Sequence, residues 1–441
     1  MPTSSISGLA SGLDTATIIN QLMQLEAISQ NRLKTQQSTQ KSALSALQSL
    51  NTDVASLAGK AEALAKPGAW QTLRATTSST DVTATLGAAP TATSLLVTIK
   101  KLATAAQSTY SRATSPDTSV VAGAVTLTAG DGSTYAIAAG SGSLTDLAAG
   151  INAAQAGVLA TTVRTGANTY QLQLTAAATG GATSAISLTN VDLGTVDSGL
   201  GQDAEISVGS ITATSSTNTF TDLVPGLSLT LSDTATLDQD ISVKVARDDT
   251  AVKANVKALV DQLNGLLTTI DTKTANAAGT TTKGALAADA TARGLRDALL
   301  ATVFGNGTTS MAAVGIQTDR YGKVVLDETA FATAYAADPA GVAARFTSGP
   351  TPATDGWAAR LQRVANTASD PRTGTLTSAI TGRQSSIDRL GDDIDAWDLR
   401  LELRRTSLTR QYTALETALS SLQSQGSWLA GQISSLTSSS S

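Results

Sequence analysis

Aliphatic residues recur at every seventh position near the end of the chain: Ile380, Ile387, Ile394, Leu401, Leu408, Leu415, Leu422, Leu429 and Leu436. A helix turns once in about 3.6 residues, so a seven-residue repeat lays one apolar stripe along it. A second row partly fills the seam. Leu390 and Trp397 stand three residues after the first row, then Tyr412, Leu419 and Ile433 four after it. The change falls near Arg404, Arg405 and Gln411, where the seam is locally polar. No proline follows Pro371, so the pattern predicts one long helix from about residue 375. A helix of that length must find partners along its flank.

One partner is visible at the other end. Residues 14–66 contain no proline and a single glycine, Gly59. Leu47, Leu50, Val54, Leu57, Ala61 and Leu64 step by three and four, and Leu22, Leu25 and Ile28 read as the same stripe nearer the start. Asp14 stands where an N-cap belongs, with Leu13 and Ile18 placed for a hydrophobic staple. Residues 35–42 are polar all round and read as a joint between two helices or as an exposed stretch of one. Lys66-Pro67-Gly68 ends the pattern. Long helices at both ends of one chain imply that the ends meet.

From Trp70 the period changes to two. Residues 71–76, 82–86 and 96–99 alternate apolar positions with Thr or Lys, as half-buried strands do. Strands at 124–128 and 135–137 flank Gly130-Asp131-Gly132, a hairpin signal. A short helix over 144–156 carries Leu144, Leu147, Ala148 and Ile151 on one face, and strands follow at 159–164, 170–175 and 185–188. A second β block covers 205–208, 227–231 and 241–245, with Pro225-Gly226 as a turn. Helical periodicity returns at Asp248-Asp249 with Val252, Val256, Leu259, Leu263, Leu266 and Ile270 on one face. Residues 279–284 read as a loop. Asp289 caps a helix ending at Phe304-Gly305, Asp319-Arg320-Tyr321-Gly322 turns a hairpin, and Asp327 and Asp338-Pro339 start two more helices. Residues 347–356 read as a linker.

The expected fold is therefore an α+β multidomain chain. Its N- and C-terminal helices pair into a coiled-coil-like stalk and helical domain, with two inserted β-rich domains, one nested in the other. The boundaries are a flexible N-terminal leg at 1–42 and a first part of the helical domain at 43–69. The β domain covers 70–113 and 204–247 around an outer β domain at 114–203. The helical domain resumes at 248–400, and a flexible C-terminal leg covers 401–441. Leu50, Val54, Leu57, Leu64, Ile387, Ile394 and Leu401 are expected in the helical core. Ile18, Leu22, Leu25, Leu408, Leu415, Leu422, Leu429 and Leu436 are expected as contacts of the legs.

Composition narrows the chemistry. The 441 residues suffice for about three domains. Cysteine and histidine are both absent, which removes disulfides, thiol nucleophiles, common zinc ligands and the usual general base. Aromatics are 3% of the chain, too few for a core built on rings. A net charge of −5 argues against a nucleic-acid partner. No apolar run reaches the roughly 18 residues that a membrane span needs, and Met1–Gly8 lacks the pattern of a cleavable signal peptide. No Walker loop occurs, since Gly279-Thr-Thr-Thr-Lys283 lacks the second glycine, and no G-x-G-x-x-G or G-x-S-x-G is present. The acidic pairs Asp248-Asp249, Asp327-Glu328 and Asp392-Asp393 read as caps or a charged helix face rather than metal ligands. No enzyme activity, cofactor or metal is expected.

Three stretches carry a family resemblance. They are Ile6–Thr15 with Ile18-Ile19-Asn20-Gln21-Leu22-Met23; Ser143–Thr175 with its Ile151–Val158 core; and Met311–Phe346 together with Tyr412–Glu416 and Ser427-Trp428-Leu429. The sequence resembles the bacterial flagellar filament cap family, flagellar hook-associated protein 2. That resemblance implies a homo-oligomeric ring, of about five copies, at the distal tip of the filament. It implies partners in flagellin, the hook–filament junction proteins and a cytoplasmic export chaperone on the C-terminal helix. It also implies secretion through the flagellar export apparatus, with no nucleic-acid or membrane partner.

The residues add a mechanism of their own. The outer stretches are Ser/Thr/Gln-rich with a narrow stripe, and a lone helix of that kind gains order by joining partners. They are expected to be mobile in the isolated protein and to order as legs against the filament. The rival reading is a tip adhesin whose Thr-rich β domains bind host mucin or glycoprotein. A third is a junction protein or minor flagellin with the same helical ends.

Overall fold

The structure, a computed structural model, describes residues 12, 14–181, 184–277, 282–304 and 310–438, the side chains of 435–438 excepted. Ile6–Ser11, Leu13, residues 279–281, Gly305 and the Leu436 side chain, all named above, lie outside the described residues. The chain divides into two units, Met1–Trp70 with Asp249–Ser441, and Gln71–Asp248.

Two helices open the first unit, α1 (Thr15–Glu26) and α2 (Ile28–Ala65). Asp14 caps α1 by accepting from the Thr17 backbone N–H at 3.0 Å. The joint falls at Ala27, not in the polar stretch 35–42, which is uninterrupted helix. Ala27 keeps right-handed helical angles, φ −72° and ψ −8°, so the axis continues through it.

The second unit is built from strands. In chain order these are β1 (Leu73–Thr77), β2 (Val82–Leu86), β3 (Thr93–Lys101), β4 (Ala105–Tyr110), β5 (Val125–Thr128) and β6 (Thr134–Ile137). After helix α3 (Leu144–Ala153) come β7 (Val158–Gly166), β8 (Thr169–Thr179), β9 (Ser187–Leu188) and β10 (Val196–Gly199). The last are β11 (Ala204–Val208), β12 (Ile211–Ser215), β13 (Thr219–Val224), β14 (Leu227–Leu231) and β15 (Asp240–Arg247). Sheets β1-β15-β3-β11-β12 and β13-β14-β2 share one core of Val97, Ile99, Ile206, Leu229, Ile241 and Val243. Sheets β10-β4-β8-β7 and β6-β5-β9 share another with α3, formed by Leu127, Leu144, Leu147, Ile151, Leu172 and Leu174. The second core lies inside the sequence of the first, so one β domain is nested in the other. Strand β4, expected with the inner domain, pairs with β8 and β10 of the outer one.

Within the outer domain, Asn152 ties α3 to β7. Its amide accepts from the Ala160 N–H at 2.8 Å and donates to the Ala160 carbonyl at 3.0 Å, completing a ladder pair that the strand edge would lack. Gly150 cannot carry a side chain, because a Cβ there would stand 2.2 Å from the Ala138 carbonyl.

The first unit then resumes with α4 (Asp249–Thr274), α5 (Ala290–Ala301), β16 (Ile316–Thr318), β17 (Val324–Leu326), α6 (Glu328–Ala337), α7 (Pro339–Ala344), α8 (Trp357–Ser369) and α9 (Thr375–Ser438). Asp289, Asp327 and Asp338 cap α5, α6 and α7 through their side chains. The predicted single long helix is α9. Helix α8 was not predicted, although Trp357, Leu361, Val364 and Ala368 step along it by three and four. Its buried face is largely alanine, Ala358, Ala359, Ala365 and Ala368, which lets α2 approach closely.

The core of this unit runs through Leu47, Leu50, Val54, Leu57 and Leu64 of α2, Val252 to Ile270 of α4, and Leu361 of α8. Aromatics are few in the chain, yet they are concentrated here. Trp70 and Phe346 meet tilted at 4.7 Å, Phe346 meets Trp357 edge-on at 5.7 Å, and Phe331 and Tyr335, stacked at 6.0 Å, complete the cluster. Every polar handle is satisfied: Trp70 Nε1 donates to the Leu64 carbonyl, Tyr335 Oη to the Trp70 carbonyl, and Trp357 Nε1 to Thr302 Oγ1.

Candidate functional site

Helices α1 and α2 run antiparallel to α9, and side chains fix the register. Asn20 Oδ1 accepts from Arg405 at 2.6 Å, and Glu26 pairs with Arg404 at 3.3 Å. Gln30 Nε2 donates to Asp398 Oδ1 at 2.5 Å and to the Ile394 carbonyl at 3.5 Å. Gln37 Nε2 donates to the Ile387 carbonyl at 3.4 Å, and Gln40 accepts from Arg383 at 2.6 Å. The second Arg383 nitrogen binds Asp289, tying the seam to the cap of α5. Each step forward along the first two helices is a step back along α9.

The seam is polar at intervals, which the apolar pattern could not reveal. Ile19, Met23, Gln30, Leu33, Gln37, Gln40, Leu44 and Leu47 face it, all buried or half-buried. Once glutamine is admitted to the stripe, Gln30, Leu33, Gln37, Gln40, Leu44 and Leu47 form an unbroken three-four repeat. That spacing of glutamines was the missed signal.

The expected residues distribute as follows. Leu50, Val54, Leu57 and Leu64 lie in the bundle core. Ile387 and Ile394 are buried and Leu401 half-buried, but they line the two-helix seam, while the part of α9 in the bundle core is Leu376, with Ala379 and Ile380 against it. Ile18 is half-buried and Leu408 buried. Leu22 and Leu25 do not continue the α2 stripe. Ile19 takes the inward position, and Leu25 and Ile28 are 66% and 60% exposed. Beyond Tyr412 the first apolar row of α9 turns outward, with Leu415, Leu422, Trp428, Leu429 and Ile433 exposed, while Glu416 is buried and Leu419 half-buried.

Among the described residues, nothing in this seam resembles a reaction centre. Its ionisable groups are spent on holding register. Among the described residues no three potential metal ligands converge, and no helix is long and apolar enough to cross a membrane.

A family model described as flagellar hook-associated protein 2 C-terminus matches residues 201–424, and the corresponding N-terminal model matches 11–106. The chain belongs to the flagellar hook-associated protein 2 family. Flagellar hook-associated protein 2 of Escherichia coli K12 is 26% identical over 461 residues, 96% of this chain and 97% of that protein. The B-type flagellar hook-associated protein 2 of Pseudomonas aeruginosa is 30% identical over 232 residues, 51% of this chain and 47% of that one. The lateral flagellar hook-associated protein 2 of Vibrio parahaemolyticus is 28% identical over half of each chain, so this match spans half the relative's length. Among solved structures, the D1-D2-D3 domains of the Escherichia coli flagellar cap protein FliD superpose with a TM-score of 0.56 at 23% identity. That match covers 77% of this chain and 99% of the other, and it shows a shared α+β multidomain fold. In a flagellar hook-associated protein 2, then, a mixed-polarity helix pair leads into an exposed helical tail.

Proposed function

We propose that this chain caps the distal end of a bacterial flagellar filament, secreted there as an oligomer of itself seated on flagellin. One observation carries the reading: past Tyr412 the apolar row of α9 continues, exposed, through Leu415, Leu422, Leu429 and Ile433, about 30 Å of helix. A regular apolar row at the surface of a helix is a docking face in search of a partner. The helical unit and its seam give the tail a rigid base.

A cap must stay attached while subunits enter beneath it. Several weak contacts serve that purpose better than one strong contact, because any one can release while the others hold. The tail fits this, with single leucines spaced a heptad apart and little charge between them. In this reading the tail engages flagellin and junction proteins at the tip. During export the same row would be shielded by a chaperone. Retaining flagellin and promoting its folding follow from closing the tip, not from any reactive group.

The test is complementation of a strain lacking this chain. The full chain restores filaments and keeps flagellin out of the medium. A chain carrying Leu415→Glu, Leu422→Glu and Leu429→Glu folds but releases flagellin unpolymerised. Normal filaments with that variant would overturn the role of the tail.

A further inference from the structure

The two-helix seam leaves two apolar patches on its outer sides. On the first helices these are Leu25 and Ile28, with Leu22 at the flank; on α9 they are Leu399 and Leu403, 60% and 64% exposed. At about 100° per residue, Leu25 lies about 140° round its helix from the line of Ile19, Met23 and Gln30. Leu399 lies about 140° round α9 from Ile394 and Leu401. The patches therefore face away from each other on opposite sides of the ribbon.

They also lie at the same height. Asn20 at Arg405, Gln30 at Ile394 and Gln37 at Ile387 set the stepping. That stepping puts Leu22 level with Leu403, Leu25 with Leu399, Ile28 with Ala396, and Arg32 with Asp392. Arg32 and Asp392 are both exposed on those outer faces. One side thus reads apolar, apolar, basic, and the other reads apolar, apolar, acidic, at matching levels.

We propose that the occupant of each patch is a second copy of this chain. The Leu22–Leu25–Ile28–Arg32 face of one copy packs on the Leu403–Leu399–Asp392 face of the next. This rests on the oligomeric reading above and deepens it by naming the interface. Two different faces meet, so the contact is heterologous and each copy has a neighbour on both sides. Equal heights mean that neighbours are related by rotation without a rise along the helix axis. Without a rise, repetition of such a contact gives no helical filament, and it closes into a ring when the rotation between neighbours divides a full turn.

The test uses the full chain, which has no native cysteine. Leu25→Cys with Leu399→Cys is oxidised and run without reductant. Helix axes lie about 8–10 Å apart and both thiols point outward, so the two Cα atoms of one chain exceed the roughly 7 Å disulfide limit. Only neighbouring copies can be bridged. The control pairs Leu25→Cys with Ser385→Cys, on the same outer face of α9 but about 21 Å along it. The expected result is a covalent ladder at least about tenfold stronger for 25/399 than for 25/385. Arg32→Glu weakens the ladder, and adding Asp392→Arg restores it. Sedimentation of the unmodified chain separates the two readings. If it sediments as an oligomer without a 25/399 ladder, or with an equal 25/385 ladder, this interface is wrong. A chain that remains monomeric at every concentration overturns the oligomeric reading as well.

Discussion

The Gln30 side-chain amide reaches across the terminal helix pair and donates to Asp398 at 2.5 Å, with Gln30 itself only 4% exposed. A buried amide in a seam between two helices stabilises less than leucine would, but it is satisfied in one register only. Gln37 and Gln40 repeat the device, each with one partner on α9. The seam is thereby specified by polar contacts and kept modest in strength.

Gln30→Ala removes that contact and leaves a gap in the seam, while the exposed Asp398 carboxylate turns to water, so stability should fall by about 1 kcal/mol. Gln30→Leu should leave stability unchanged or raised while loosening the register. Urea denaturation reads the first effect. Cross-linking across the seam at neighbouring heights reads the second.

Burial separates two leucines that look alike in sequence. Leu57 is fully buried in the bundle and Leu25 is 66% exposed. Leu57→Ala should cost about 3 kcal/mol. Leu25→Ala should stay within about 0.5 kcal/mol in the isolated chain and show its effect in assembly alone. Denaturation midpoints beside sedimentation profiles make the comparison.

Asn152 offers a test inside the outer β domain. Asn152→Ala leaves the Ala160 N–H and carbonyl unpaired, for an expected loss of about 1–3 kcal/mol. Asn152→Asp keeps the acceptor and loses the donor, so it should fall between the two. Amide exchange at Ala160 should rise sharply in the alanine variant and less in the aspartate one.

Below about pH 8, dependence on pH should fall on the acid side. The Thr17 hydroxyl, then its backbone N–H, hold the Asp14 carboxyl below its ordinary pKa. The backbone N–H groups of Thr373 and Arg372 do the same for Asp370 ahead of α9. A carboxyl depressed in the fold stabilises at pH values above its unfolded pKa. That contribution is lost as pH falls through the lowered folded value. With no histidine in the chain, stability should be flat from about pH 5.5 to 8 and decline below about pH 4. Thermal melts across that range check it.

Legibility in the sequence followed the strength of the apolar signal. The heptads of α9 and the Leu47–Leu64 stripe of α2 were readable because their repeating positions are aliphatic, buried in α2 and in the first half of α9 and exposed in its second. Gln30, Gln37 and Gln40 were not, because hydrophobic periodicity discards polar residues that a neighbouring helix satisfies. Leu22, Leu25 and Ile28 misled for the converse reason: an apolar residue facing outward counts the same as one facing in. Helix α8 was legible in Trp357, Leu361, Val364 and Ala368 but is short and stands between the 347–356 linker and α9, and β4, Ala-Ala-Gln-Ser-Thr-Tyr, changes sheet with no change in composition. The aromatic cluster was invisible because Trp70, Phe331, Phe346 and Trp357 are scattered along the chain and meet only in the fold.

The central claim is that α9 is anchored over its first half and reaches for partners over its second. Hydrogen exchange on the free full-length chain tests this directly. Amides of 376–408 should be strongly protected, and those of 415–434 should exchange orders of magnitude faster until the protein assembles. Equal, strong protection along the whole of α9 in the monomer would contradict the account.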